Sequence, residues 1–252
     1  MAGAIAIAGM AALRSGAGLV SVAVPDPILD TVAGAHPCLM TIPMASDMLG
    51  RFAGKAIERL LVIAANASCV ALGPGLGSSD ELDHFVIKLY SSIERPMVID
   101  ADALTALPLA LPSLPRAKGP RILTPHPGEF ERLSGVSRKD RLRQSLAAVA
   151  IAKENRVVIV LKGFETVITD GETTIVNRTG NPKMAVGGSG DCLTGIITAL
   201  VCQGLKPLAA AHLGATLHGL AGDLAAKRLG CPSVLATDLL DDLPEAFSLI
   251  GS

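Results

Sequence analysis

Aromatic side chains are nearly absent from this sequence, which has no tryptophan, one tyrosine and five phenylalanines. Stacking platforms for single-stranded nucleic acid are therefore not expected. Neither sign of charge dominates, with 22 Lys and Arg against 23 Asp and Glu and no long run of either. That argues against a nucleic-acid or membrane-surface partner. No apolar run reaches the roughly 18 residues needed to cross a bilayer. The N-terminal "MAGAIAIAGMAALRSGAG" imitates a signal peptide, but no basic residue precedes its apolar part and Arg14 ends it. It reads as an Ala-rich buried helix of a cytoplasmic protein. The five cysteines (Cys38, Cys69, Cys192, Cys202, Cys231) are odd in number, scattered and without a CxxC pair. Neither a disulfide framework nor a zinc site is indicated, and they read as small buried residues in a reducing compartment. A GxxxxGK[ST] loop is missing too, since "GRFAGKA" (50–56) has the wrong spacing and no Ser or Thr after its Lys.

What is present is apolar and periodic. Half of the 252 residues are apolar, enough for a sizeable core without staples. Short β-rich runs, "LVSVAV" (19–24), "CVALG" (69–73), "PMVID" (96–100), "RILT" (121–124) and "VVIVL" (157–161), alternate with helical patterns near 52–65, 80–93 and 138–154. Apolar strands without alternation are expected where helices cover both faces of a mostly parallel sheet. After 161, "TVITD", Gly171 and "TTIVN" predict a hairpin, followed by helices over 190–204, 207–229 and 236–249. No linker or repeat divides the chain, so 1–252 reads as one α/β domain.

The strand ends carry the unusual residues: Gly73-Pro74-Gly75-Leu76-Gly77, Asp100-Ala101-Asp102, Thr124-Pro125-His126-Pro127-Gly128-Glu129 and Lys162-Gly163. Open α/β sheets bind ligands at the carboxyl ends of their strands, so these read as one crevice. "GPGLG" follows a strand but lacks the GxGxxG spacing of the usual dinucleotide fold. The strongest signal is "NPKMAVGGSGDCLTGIITAL" (181–200), where Gly187, Gly188, Ser189, Gly190 and Asp191 run into an apolar helix. A glycine-rich helix start offers free amides to an anion. A carboxylate there has a chemical use: it accepts a proton while the amides stabilise charge building on a phosphoryl group. As an alternative, Asp191 is a helix cap after a loop.

On these residues the chain resembles the ribokinase-like superfamily, in which a G-[ST]-G-D sequence precedes an apolar helix. It is similar in more detail to the ADP/ATP-dependent NAD(P)H-hydrate dehydratases, through "MAGA", "GPGLG", "VIDADAL", "TPHPGEFERL", "LKG..T" and "N.TGNP.MA.GGSGD.LTGII" in that order along essentially the whole chain. The resemblance implies a central sheet with helices on both faces. It implies a reaction in which ADP or ATP, with magnesium, phosphorylates the 6-hydroxyl of the S epimer of hydrated NADH or NADPH. Phosphate then leaves, restoring the nicotinamide ring and giving AMP or ADP. By the same resemblance Asp191 is the base and meets the substrate hydroxyl. Lys162, Gly163, Phe164, Glu165, Thr166, Gly187, Gly188, Ser189 and Gly190 hold the nucleotide. Ala4, Gly75, Gly77, Asp102 and His126 line the hydrate site, and Glu129 orients magnesium-bound water.

Other readings stand beside these. His126 between two prolines also suits a turn cap, Glu129 a first-turn helix residue, and Asp100 and Asp102 helix caps. His212, His218 and "LHGLAGD" (217–223) read as helix packing. The rival functions are a kinase for a thiazole or pyrimidine alcohol and a nucleotide-binding protein without catalysis. The family pattern carries a β-strand and a Gly-Ser turn ahead of "MAGA", so a sheet without that first strand is expected. Lys183 replaces a usual Gly and Val186 a frequent Thr. The epimerase domain often fused to the family is not among these residues, so a separate epimerase is expected. Exposed apolar helices near the C-terminus suggest a homo-oligomer.

Overall fold

The structure, a computed structural model, describes residues 1–107 and 114–251. Its centre is a six-stranded sheet in the order β3 (Val70–Leu72), β4 (Met97–Ile99), β5 (Arg121–Leu123), β6 (Val158–Leu161), β7 (Thr166–Thr169), β8 (Thr174–Asn177). The first four strands are parallel neighbours, and the β6–β7–β8 end is antiparallel. Every residue of β4, β5 and β6 is buried, as the continuous apolar runs require when helices cover both faces. Because β-strand side chains alternate, neighbouring residues feed opposite cores. Met97, Ile99, Leu123, Ile159 and Leu161 pack against α3 (Ile57–Ala65), α4 (Asp80–Ser92), α5 (Ala101–Ala106), α6 (Pro127–Ser134) and α7 (Arg141–Asn155). Val98, Ile122, Val158 and Val160 pack against α1 (Ala2–Arg14), α8 (Ser189–Cys202), α9 (Pro207–Leu229) and α10 (Ala236–Ile250). The expected single α/β domain is the fold observed.

Three features depart from expectation. The run 19–24 forms β1 (Ser21–Pro25), which pairs in parallel with β2 (Met40–Met44) in a separate two-stranded sheet, not with the central one. With α1 and the five-residue α2 (Leu29–Ala33), this sheet buries a third, smaller cluster around Val22, Val24, Val32 and Leu39. Next, Cys38 and Cys202 are exposed, although Cys69 and Cys192 are buried as expected. Cys38 lies in the loop before β2, and Cys202 ends α8, where its thiol meets that of Cys69 at the margin of the core. Finally, β5 opens with the fully buried Arg121. Its guanidinium donates to the carbonyls of Tyr90, Ile93 and Arg95, capping the C-terminal end of α4, and burial pushes its pKa down to about 10.

Since β3 to β6 are parallel and follow one another in the sheet, their carboxyl ends lie side by side on one edge. The four motif-bearing loops and the start of α8 therefore share one crevice.

Candidate active site

α8 begins with Gly188 as its N-cap at φ 88°, a left-handed conformation that favours glycine. No side-chain cap takes the first amides of the helix. Gly190 has a spatial reason as well: a Cβ there would stand 3.2 Å from Lys162 Nζ and 3.6 Å from Asp100 Oδ2. The glycines thus bring the helix start against the end of β6.

Lys162 forms the centre of the charge arrangement. Its ammonium donates to Asp100 Oδ1 at 2.7 Å and lies 3.8 Å from Glu129 Oε2. Asp100 is 1% exposed, and its other oxygen accepts from Thr194 Oγ1 of α8 at 2.7 Å. Asp100 precedes α5, but its side chain makes no cap bond. It fixes the lysine and ties β4 to α8. Asp102 turns the other way and accepts from the Gly77 N–H at 2.7 Å, holding the "GPGLG" turn. Gly73 at φ +127° lets that turn pass the Asp100 carbonyl so closely that any Cβ would overlap it. A Cβ on Gly75 would come within 3.1 Å of Ala4 Cβ, so the start of α1 lines the same turn.

Asp191 stands in the first turn of α8. Burial first, then the neighbouring Asp100 charge, pushes its pKa from the ordinary 3.8 up to about 6, with Lys162 pulling it back. Partial burial beside a second carboxylate makes it a better proton acceptor, still ionised at neutral pH.

His126 and Glu129 form a capping box at the start of α6. His126 Nδ1 accepts from the N–H groups of Gly128 at 3.0 Å and Glu129 at 3.2 Å, and Glu129 Oε2 accepts from the His126 N–H at 2.7 Å. With Nδ1 accepting, the ring proton sits on Nε2, 3.4 Å from Glu129 Oε1. The capping alternative is thus the geometry observed for both residues. Burial pushes the Glu129 pKa up, against the pull of Lys162. No group of three His, Cys, Asp or Glu is arranged to hold a metal ion among the described residues. Both Glu129 oxygens already face donors, so a bare cation does not fit there. An ion arriving on substrate phosphates with its own water does fit.

The segment after β6 is shaped by Arg141, at the first position of α7. Its guanidinium donates to the carbonyls of Leu161, Lys162 and Glu165 at 3.0 to 3.1 Å. Around it, Gly163 and Glu165 take positive φ, Phe164 is 90% exposed, and Thr166 Oγ1 donates to the Gly163 carbonyl. Glu165 pairs with the exposed Arg178 at 3.3 Å, while its backbone carbonyl is held by Arg141.

Helix α9 does more than pack. Asp223 accepts from Gly180 N–H at 2.9 Å and Asn181 Nδ2 at 2.8 Å, fixing the chain that enters the glycine loop. Thr179 Oγ1 donates to the Thr216 carbonyl, and Gly219 leaves the room Thr179 needs. At the other end of the loop, His218 Nε2 donates to the Ser189 carbonyl at 2.9 Å. "LHGLAGD" packs as expected, with Gly219 and Gly222 close against Thr179 and Met184, and its His218 and Asp223 also hold the glycine loop and the chain that enters it. The available sequence signal was two small residues, Gly219 and Gly222, beside a His and an Asp in one apolar helix. His212 takes no part, and its carbonyl merely accepts from Thr216. Lys183 stands in the turn Pro182–Met184, where its carbonyl accepts from Val234.

The family described as NAD(P)H-hydrate dehydratase matches residues 1–245. The bifunctional NAD(P)H-hydrate repair enzyme Nnr of Moorella thermoacetica is 44% identical over 97% of this chain, which spans 46% of that protein. The chain thus spans about half the length of the bifunctional relatives it matches. The ADP-dependent (S)-NAD(P)H-hydrate dehydratase of Nitrosopumilus maritimus is 33% identical over 96% of this chain and 82% of its own length. Among solved structures, the ADP/ATP-dependent NAD(P)H-hydrate dehydratase of Bacillus subtilis, co-crystallized with ATP/Mg2+, superposes with a TM-score of 0.81. It is 30% identical, over 99% of this chain and 85% of that one.

Proposed function

The chain belongs to the NAD(P)H-hydrate dehydratase family, and we propose that it dehydrates the S epimer of hydrated NADH or NADPH at the expense of ADP or ATP. One observation carries the reading: a carboxylate with its pKa pushed up to about 6 stands in the first turn of a glycine-started helix beside Lys162.

The nucleotide lies along the β6 end. The backbone of Lys162, Gly163, Phe164, Glu165 and Thr166 meets its AMP part, and the amides of Gly187, Gly188, Ser189 and Gly190 meet its phosphates. Lys162 adds a positive charge where negative charge grows in the transition state. The hydrate lies against Ala4, Gly75, Gly77, Asp102 and His126. Asp191 takes the proton of its 6-hydroxyl as the oxygen attacks the terminal phosphorus; one O–P bond forms and the nucleotide's O–P bond breaks. The ring nitrogen lone pair then breaks the C–O bond and expels phosphate, and a proton leaves the adjacent carbon to restore the ring. The residues therefore need only position two substrates and hold one proton. Glu129 would meet the water of a magnesium ion carried in on the nucleotide, an ion that would neutralise phosphate charge.

The same reading covers the setting. No helix among the described residues is long and apolar enough to cross a membrane, which fits the cytoplasmic location we assign. Exposed Leu235 and Ile250 near the C-terminus fit a homo-oligomer. An epimerase activity would supply the S epimer. The thiazole or pyrimidine kinase has no observation in its favour here, and a non-catalytic binder has no use for a raised carboxylate in the crevice.

The test is Asp191→Asn. Turnover is expected to fall roughly 100-fold or more while ADP affinity stays within a few-fold, the scale of removing a general base. Near-normal turnover sinks the role of Asp191.

A further inference from the structure

Ser189 is the first residue of α8, in the glycine loop, and is buried at 8% exposure. Its hydroxyl oxygen lies 3.1 Å from His218 Nε2, and its carbonyl oxygen lies 2.9 Å from the same nitrogen. A carbonyl only accepts, so Nε2 must carry the imidazole proton. A protonated ring nitrogen has no lone pair to offer, so the Ser189 hydroxyl can only accept from it. The hydroxyl proton must therefore point elsewhere, and no other acceptor for it is present among the described residues. That leaves the hydroxyl proton free for a ligand bound at the glycine start of α8.

We propose that His218 is a positioning residue which, by donating to Ser189, turns the Ser189 hydroxyl proton onto a phosphate oxygen of the bound nucleoside diphosphate or triphosphate. This rests on the reading that the loop binds phosphate. The imidazole is suited to the task. Burial holds its pKa down to about 4, so the ring stays neutral and its single proton stays on one nitrogen. It adds no charge of its own beside Lys162, and its contribution is the direction of one O–H bond. The hydroxyl then becomes a donor to a charged oxygen, a stronger bond than one between neutral groups.

Calorimetric ADP binding and steady-state kinetics on Ser189→Ala, His218→Leu, the double variant and His218→Gln test this. Removing a hydrogen bond to a charged group should raise the ADP Kd roughly tenfold in Ser189→Ala, and His218→Leu should match it. The double variant should be no worse than either single one by more than about twofold, because both remove the same bond. His218→Gln, whose amide N–H reaches the same place, should return the ADP Kd to within about twofold of the parent. The Michaelis constant for the hydrate should stay within about twofold throughout, which a general loosening of the loop would not give. If His218→Leu does not fold, His218→Asn takes its place, since its amide stops short of Ser189. Multiplying effects in the double variant, or a glutamine that rescues nothing, overturn the role of His218 alone. A parent protein that binds neither ADP nor ATP overturns the proposed function, and this inference with it.

Discussion

Asparagine at position 191 removes a charge that the folded chain holds at a cost. Moving a carboxyl from 3.8 to about 6 corresponds, at about 1.4 kcal/mol per pH unit, to a penalty of roughly 3 kcal/mol at most. Asp191 is only partly buried, and solvent screening takes about half of that. The α8 dipole returns roughly another 0.5 kcal/mol to the carboxylate in its first turn. A net gain of about 1 kcal/mol remains for Asp191→Asn, or about 2–4 °C in Tm for a chain of this size. The sign follows from the direction of the shift. The folded pKa lies above the unfolded one, so the penalty is fully present above about pH 6 and disappears below about pH 4. Thermal melts followed by circular dichroism near pH 7.5 and near pH 4 should therefore show the variant ahead only at the higher pH. In the parent, turnover should fall as pH drops through about 6. A variant that melts below the parent near pH 7.5, or a gap that persists near pH 4, refutes the account of how this carboxylate is held.

Two further perturbations probe the surroundings. Lys162→Ala should raise the apparent Michaelis constant for ADP more than that for the hydrate; the reverse would mean that the two ligands are placed the wrong way round. The same variant leaves Asp100 buried without its ion pair and should lose about 3 kcal/mol of stability, most of it recovered by adding Asp100→Asn. A double variant as unstable as the single one in denaturant melts would contradict that pairing. Gly73→Ala demands a positive φ from alanine and drives its Cβ into the Asp100 carbonyl. It should cost about 3 kcal/mol or more, and an unchanged Tm would show that the turn is laid out differently.

The parts of this site that were legible in the sequence are those where one local rule decides. Continuous apolar runs marked β4, β5 and β6, and because those strands are parallel neighbours, the glycines, carboxylates and lysine after them had to meet. The glycine-rich helix start was visible for the same reason: only a close approach or a left-handed turn explains so many glycines together. What was hidden depends on contacts between distant segments. β2 carries Pro43 and exposed Met40, so it lacks the apolar signature of its partner β1. Arg141 looked like an ordinary helix residue, and only the fold shows four residues of the β6 turn reading against it, through carbonyls of Leu161, Lys162, Phe164 and Glu165. The loop contacts of His218 and Asp223 were hidden because helix spacing says only which face a residue shares. It does not say which loop, some 30 to 40 positions earlier in the chain, comes to lie upon that face.

The central claim is a dehydration driven by phosphoryl transfer, and one reaction tests it directly. The protein is incubated with hydrated NADH, ADP or ATP and magnesium, while ring absorbance and free phosphate are followed together. The account predicts that ring absorbance returns only when nucleotide is present, with one phosphate released per NADH restored and only the S epimer consumed. Restored absorbance without nucleotide, or a phosphorylated product that accumulates intact, would contradict it.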